Sequence, residues 1–221
     1  MEVKNKKALN EYKYLVVFDL ASKISGICLW DIEKHKPIKT SVIEVKTCDS
    51  KIKQLYNEIQ LYFKTLEATG IQMNEILVCK EAMPTQVHSS ASTIQTFIAL
   101  AKSHAILDLF LINNNIDFYD EIGIYPISTH AYFRHLKELD KKEKVDKKMI
   151  NQFVQQKYNI HCGTLDESDA VFLAQTFVDV KWNRDLDESI KEVKRHKKTL
   201  KATHAIKEQE EEIKRLNSLK I

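Results

Sequence analysis

Residues 14–26, with the sequence YLVVFDLASKISG, decide the fold of this 221-residue chain. The apolar run from Tyr14 to Phe18 precedes Asp19, and a second apolar run follows Gly26. This pattern predicts a strand that ends in an acid, a tight turn and a second strand. Because an ionised carboxylate at the end of an apolar strand is costly to bury without a partner, Asp19 is the first candidate for a functional residue.

Three further acids stand at comparable positions. Glu81 follows the strand-like run Ile76–Lys80, and Asp166 and Asp169 open a predicted helix. Residues three apart on a helix project from one face, with Cβ atoms about 5–6 Å apart, so Asp166 and Asp169 point the same way. Neighbouring carboxylates repel one another unless a cation lies among them. The four acids therefore predict a divalent metal site.

Each acid except Asp19 also has a structural alternative. Asp166 could cap its helix, Asp169 could offset the dipole of the first helical turn, and Glu81 could be a surface acid at a strand end. These alternatives stay open at the level of the sequence.

The rest of the pattern predicts one α/β domain with short loops, since the chain has only four glycines and three prolines. In the long helix we expect Phe97, Ile98, Leu107 and Phe110 to lie in the core. Predicted strands are 14–19, 26–32, 38–46, 76–81 and 116–120, and predicted helices are 51–66, 92–113, 129–139, 146–157 and 167–180.

Composition excludes several classes of protein. The chain is 43% hydrophobic and 29% charged, and no apolar run approaches the roughly 20 residues that a membrane helix needs. The basic N-terminus has no apolar stretch behind it, so we expect no secretory signal, no membrane association and a cytoplasmic location. The four scattered cysteines favour neither a zinc site nor a disulfide framework.

Charge is unevenly distributed although the net charge is only +3. Seven basic and four acidic residues lie between Arg134 and Lys148, and seven basic residues stand against Glu192 alone between Lys191 and Lys207. Beside an acidic metal site, such patches favour a polyanionic substrate over a merely solvated surface.

The order of elements is that of the ribonuclease H-like fold, a mixed five-stranded sheet flanked by helices. Residues 19–26, DLASKISG, resemble the opening motif of the RuvC Holliday-junction resolvases, and residues 166–170, DESDA, resemble their closing motif. Glu81 matches the middle acid, and Lys147-Lys148-Met149-Ile150 resembles the helix start that precedes the closing motif. Leu20-Ala21 replaces the usual Pro-Gly, which favours a bacteriophage relative.

The resemblance implies a metal-dependent, structure-selective DNA endonuclease that resolves Holliday junctions and related branches by paired symmetric nicks. It implies a homodimer acting on branched DNA, with no small-molecule cofactor and, if phage-encoded, a location in the host cytoplasm. Two Mg²⁺ ions per site, or Mn²⁺ in their place, are the expected cofactors. The implied catalytic metal ligands are Asp19, Glu81, Asp166 and Asp169, and the expected DNA contacts are Lys102, Arg134, Lys147 and Lys148.

The expected nuclease domain spans residues 1–182, and residues 183–221 form a charged helical extension. Two other functions remain open. The chain could be a branch-binding protein with weak or lost nuclease activity, or a ribonuclease H-like nuclease acting on RNA/DNA hybrids.

Overall fold

The structure, a computed structural model, describes residues 9–21, 23–45, 51–83, 91–119, 124, 126–182 and 203–219. Its centre is a mixed sheet with the strand order β3-β2-β1-β4. The strands are β1 (Tyr14–Asp19), β2 (Ile24–Asp31), β3 (Lys36–Glu44) and β4 (Ile76–Lys80). Strand β1 pairs antiparallel with β2 and parallel with β4, so the strand that carries Asp19 lies inside the sheet.

Helices cover both faces of this sheet. They are α1 (Lys51–Ala68), α2 (Ala91–Asn113), α3 (Pro126–Leu136), α4 (Lys147–Tyr158), α5 (Leu165–Thr176) and α6 (Thr203–Ser218). Short 3-10 turns occupy Leu9–Glu11 and Met73–Glu75, and a π-helical turn, Phe177–Trp182, continues α5. Helices α1 and α2 pack on the face that includes Val16 and Phe18, whereas α3, α4 and α5 pack on the face that includes Leu15 and Val17.

The alternation of side chains along β1 places Asp19 on the same face as Leu15 and Val17, and therefore on the side of α5. Glu81, directly after β4, lies on that face too, because Leu77 and Cys79 belong to the same core cluster. Local strand geometry thus directs both acids toward the helix that carries Asp166 and Asp169.

The predicted fifth strand is wrong as a regular element, since the described residues form a four-stranded sheet. The chain does pair with β4 in parallel, but only through the isolated bridges Val78 to Phe118 and Glu81 to Ile124. The interval from Val78 to Glu81 contains three steps, and the interval from Phe118 to Ile124 contains six. The two bridges are therefore out of step, whereas a continuous ladder requires equal steps on both strands.

Helix α2 is less buried than its sequence predicts. Leu107 and Phe110 lie in the core as expected, but Ile98 is 47% exposed, so its assignment to the core is wrong. The stretch Ile94–Asn113 is long and apolar enough to span a membrane by length and composition, a test that core helices of soluble proteins also pass. A single helix of this kind in the described part of the chain is weak evidence for a membrane span.

Helix α6 packs its end against the domain core. Leu216 and Leu219 are buried in the cluster beneath α5, and the Trp182 indole Nε1 donates a hydrogen bond to the Leu219 carbonyl at 3.1 Å. Residues 183–202, which carry most of the Lys191–Lys207 basic segment, lie outside the described residues. The division at residue 182 stays a prediction.

Gly26 allows α5 to approach the sheet. It pairs with Asp19 across β1 and β2, and a Cβ atom at this position would lie 2.0 Å from the carbonyl oxygen of Asp166. No side chain fits that gap, because real Cβ contacts do not occur at such distances. The glycine of the opening motif is thus required so that the first turn of α5 can reach the end of β1.

Replacing Gly26 by alanine should lower the free energy of unfolding by about 2–3 kcal/mol, because the added methyl group forces α5 away from β2. Urea denaturation measures the loss. Gly163→Ala is the matched control, since its Cβ would lie 3.2 Å from the side-chain atom Oε2 of Glu167, compared with 2.0 Å from a backbone oxygen for Gly26. The control should lose less than about 1 kcal/mol. Equal losses in both variants would contradict a special close approach at Gly26.

Candidate functional site

Three of the four predicted acids come together at one end of the sheet. Asp19, Asp166 and Asp169 each offer one carboxylate oxygen, and these oxygens all lie within 4.8 Å of one another. Asp19 comes from the end of β1, and the other two come from the first turns of α5. We call these three residues the carboxylate cluster.

The start of α5 is held by residues other than those of the cluster. Thr164 is the N-cap and accepts a hydrogen bond from the backbone N–H of Glu167, and the Glu167 carboxylate accepts one from the Thr164 N–H. Thr40 of β3 also donates to Glu167 at 3.1 Å. Asp166 is therefore not the cap, and its carboxylate is left for the cluster. Glu167 faces away from the cluster, as its helical position predicts.

Glu81 lies beside the cluster and forms a side-chain hydrogen bond with Asp19. It is partly buried, so the alternative of a simple surface acid is wrong. Asp19, Glu81 and Asp169 line one cavity of about 250 Å³. The other residues that line it are Pro126, Thr129, His130, Lys147, Ile150 and Leu173. The structure thus brings all four predicted acids to one place, with Glu81 adjacent to the closest three.

Lys147 is the residue whose position differs most from expectation. Its ammonium Nζ lies 2.8 Å from Oδ1 of Asp166 and 2.7 Å from Oδ2 of Asp169. The sequence predicts a phosphate contact here, whereas the structure shows a lysine bound to two cluster acids. Lys147 begins α4, whose N-cap Asp146 accepts a hydrogen bond from the Met149 N–H.

Electrostatics at this site oppose the ionisation of Asp19, Glu81 and Asp169. Burial raises the pKa of Asp19, and the charge of Asp169 adds to that rise. Burial also raises the pKa of Glu81, with the Asp19 charge and their shared hydrogen bond acting in the same direction. For Asp169, burial outweighs the opposing hydrogen bond from Lys147, so its pKa is raised as well. The ionised forms of these three acids are therefore less favourable here than in water.

The Lys147 ammonium responds in the opposite sense. Burial alone would lower its pKa, but hydrogen bonds to Asp166 and Asp169 and the charges of both acids raise it. Lys147 is thus held as a cation at the cluster.

The donor set fits a hard divalent cation. Every candidate ligand atom is a carboxylate oxygen, the ligand type that Mg²⁺, Ca²⁺ and Mn²⁺ prefer. Oδ1 of Asp169 is buried and has no hydrogen-bond partner among the described residues. An unpaired buried oxygen is costly, and a bound cation would satisfy it. The cluster could therefore hold a metal ion.

The three other predicted DNA contacts lie outside the cavity. Lys102 is exposed on α2, on the face of the sheet opposite α5. Arg134, in the last turn of α3, donates from Nε to the Glu143 carbonyl at 2.8 Å. Lys148 is exposed beside Lys147. DNA binding by these residues stays a prediction.

Sequence reasoning missed Thr129 and His130, which line the cavity from α3. Burial lowers the pKa of His130, the Arg134 charge lowers it further, and the Asp169 charge opposes both. His130 therefore faces the cluster as a largely neutral imidazole at neutral pH. Its sequence position shows no metal-ligand spacing, and only the packing of α3 against α5 brings it to the site.

Comparisons with solved structures identify the fold. The structure of Thermus thermophilus RuvC aligns with a TM-score of 0.51 at 9% identity, over 74% of this chain and 92% of RuvC. The same protein in complex with a Holliday junction substrate gives 0.49 at 11% identity, over 75% and 92% of the two chains. The yeast mitochondrial Holliday junction resolvase gives 0.45 at 16% identity, over 76% and 78%.

No protein-family model matches the sequence, and no curated protein sequence matches it. The likeness to RuvC therefore lies in the fold. This chain has a RuvC-like, ribonuclease H-like architecture, as its motif order predicts, with a carboxylate cluster that could bind metal.

In metal-free buffer, the protein should lose stability as pH rises from about 4 towards neutrality. The raised pKa values of Asp19 and Glu81 mean that the native state binds protons which the unfolded chain has already released. Deprotonation therefore costs the native state, and the stabilising contribution falls as pH rises. Urea denaturation at a series of pH values in EDTA measures this slope.

Glu81→Gln should reduce this loss by about 1–2 kcal/mol at neutral pH, because it removes one of the two carboxyl groups whose protons the native state retains. Glu67→Gln, at an exposed position on α1, is the control and should keep the wild-type slope. An unchanged slope in Glu81→Gln would show that the Asp19–Glu81 pair does not titrate as proposed.

Proposed function

We propose that this chain is a metal-dependent, structure-selective DNA endonuclease that resolves Holliday junctions and related branched DNA by paired symmetric nicks. The observation that carries the proposal is the carboxylate cluster of Asp19, Asp166 and Asp169 within 4.8 Å, at the end of the central strand of a RuvC-like fold. Glu81 completes the proposed ligand set. A bacteriophage origin, with action in the host cytoplasm, is part of the proposal.

The four acids would hold two Mg²⁺ ions, or Mn²⁺ in their place. When bound, such ions activate a water for attack on a phosphodiester and stabilise the leaving oxygen. Asp19 is suited to a central role because it forms a hydrogen bond with Glu81 and also has an oxygen within 4.8 Å of both α5 acids. The proton that Asp19 and Glu81 share in their hydrogen bond must leave when both acids bind metal. The affinity for metal should therefore rise with pH.

The residues around the cluster would bind the DNA substrate. Lys147 and Lys148 start α4, where backbone N–H groups add a favourable field for phosphate. His130 lines the cavity and would contact whatever enters it. The basic segment around Arg134 supplies further positive charge, so binding should be strong at low salt and should weaken as salt rises.

Asp19→Asn or Asp169→Asn should reduce cleavage of a synthetic four-way junction by at least about 1000-fold, since each removes a proposed metal ligand. Junction binding should persist or strengthen because a negative charge near phosphate is lost. Nicking of labelled strands and gel-shift titration measure the two effects. Asp179→Asn, at an exposed residue beyond the end of α5, is the control and should cut normally. Cleavage by Asp19→Asn at the wild-type rate would refute the proposed site.

The choice of substrate separates the open alternatives. Wild-type protein should cut a mobile four-way junction with Mg²⁺ and leave it intact in EDTA, with symmetric nicks on opposing strands. Preferential cutting of an RNA/DNA hybrid would favour the ribonuclease H-like alternative. Tight junction binding with no cutting under any divalent ion would favour a branch-binding protein.

A homodimer is the proposed form of the enzyme, because two symmetric nicks require two active sites across one junction. Its support is an exposed apolar stripe along α2. The stripe consists of four large apolar residues whose exposed fractions lie between 44% and 59%. They are Ile94 (44%), Ile98 (47%), Leu109 (54%) and Ile112 (59%). The small residues Ala101 and Ala105 lie between them on the same face. Their spacing of three, four and seven suits helix-to-helix packing between two copies.

Ile98→Glu should convert a dimer of about twice 25.7 kDa into a monomer, because it places a charge in the middle of the stripe. Light scattering coupled to size exclusion measures the mass. Ile38→Glu is the matched control, since Ile38 lies on β3 and is 49% exposed against 47% for Ile98. The control should stay dimeric. A wild-type monomer, or a dimer that survives Ile98→Glu, would place any interface elsewhere.

A further inference from the structure

Lys147 combines two properties that its neighbours do not share. Its ammonium is held by Asp166 and Asp169 at 2.8 and 2.7 Å, yet 54% of its side chain remains exposed to solvent. Its backbone is fixed, because α4 packs on α5 through Phe153 and Phe172, whose ring centroids are 5.7 Å apart. The charged end of Lys147 can therefore leave the cluster without any change in the core.

The lysine binds two of the acids that a metal ion would use. Its two bonds take Oδ1 of Asp166 and Oδ2 of Asp169, both on acids of the carboxylate cluster. Two cations that share the same carboxylates at such distances repel each other by Coulomb forces. The ammonium and a divalent ion are thus competitors for the cluster.

We propose that Lys147 is a resident counter-ion of the cluster, that a divalent cation displaces it, and that the released ammonium then binds substrate phosphate. This inference rests on the proposed metal site and specifies how that site is regulated. The cluster is compensated by lysine in the metal-free state, and metal loading supplies the active site with a phosphate-binding group. Lys147 is then a positioning residue before loading and a substrate contact afterwards.

A purely structural role for Lys147 leads to a different expectation for metal binding. If Lys147 only fastened α4 to α5, its removal would loosen the acids and weaken metal binding. If Lys147 competes with metal, its removal should strengthen metal binding although the metal-free protein becomes less stable. The sign of the change in metal affinity therefore separates the two roles.

Calorimetric titration of the full-length protein with Mg²⁺ and Mn²⁺, in the absence of DNA, measures that sign. Lys147→Met should bind either ion about tenfold more tightly than wild type, because one unit charge near the metal is removed. Lys148→Met is the matched control, because it removes the same charge one residue away. Lys148 is exposed and has no ion pair in the described part of the chain. The control should change affinity by less than about threefold.

A second measurement uses the wild-type protein and so does not depend on the folding of a variant. Acylation of lysine amines, read by mass spectrometry, should be slow at Lys147 in EDTA and should speed up at least about fivefold when Mn²⁺ is added, as the hydrogen bonds to the acids are lost. Lys148 is the internal reference and should react at the same rate in both conditions.

The outcomes distinguish this inference from the proposed function. If wild type binds divalent ions but Lys147→Met binds them equally or less tightly, the competition is refuted and the metal site stands. If Lys147 labelling does not respond to Mn²⁺, displacement is refuted likewise. If wild type binds no divalent ion at all, both the metal site and the inference fail.

Discussion

The close approach of helix α5 to strand β2 at Gly26 sets where the acids of α5 lie relative to Asp19. With the Asp166 carbonyl 2.0 Å from where a Cβ would stand, the helix can begin directly against the end of β1. The capping pair Thr164 and Glu167 holds the helix start from the other side, with Thr40 as an additional anchor. These contacts fix the position of α5 along the sheet, and this position brings Asp166 and Asp169 to Asp19.

Bringing these acids together works against folding stability. Burial and mutual repulsion raise the pKa of Asp19, Glu81 and Asp169, so part of the cluster is protonated where ordinary carboxyls are ionised. One lysine compensates two of the acids, and Oδ1 of Asp169 has no partner among the described residues. Perturbed acids of this kind are typical of functional sites. The arrangement is poor for stability and suited to a cation.

The two faces of the sheet carry different features. The face beneath α3, α4 and α5 carries the acids, Lys147 and His130 around one cavity. The opposite face is closed by α1 and α2, and α2 presents the apolar stripe outward. The apolar stripe and the carboxylate cluster therefore lie on opposite sides of the sheet.

The sequence by itself determined the strand and helix order, the position of Asp19 at a strand end and the shared face of Asp166 and Asp169. These features follow from local periodicity, which the backbone geometry of strands and helices imposes. Periodicity could not show which side of α2 is covered, because apolar residues lie on every side of that helix. The prediction that Ile98 is in the core failed for this reason. Periodicity also could not show that the described residues after α2 pair with β4 through isolated bridges at Phe118 and Ile124.

Only the tertiary structure decided the partners of the site residues. Lys147 and His130 lie on helices far along the chain from Asp19, and the packing of α3 and α4 against α5 alone brings them to the cavity. The Lys147 ammonium lies 2.7 Å from Oδ2 of Asp169. The position of Lys147 in the sequence does not show this contact. Contacts between segments remote in sequence are set by how whole helices pack, and no local pattern encodes that geometry.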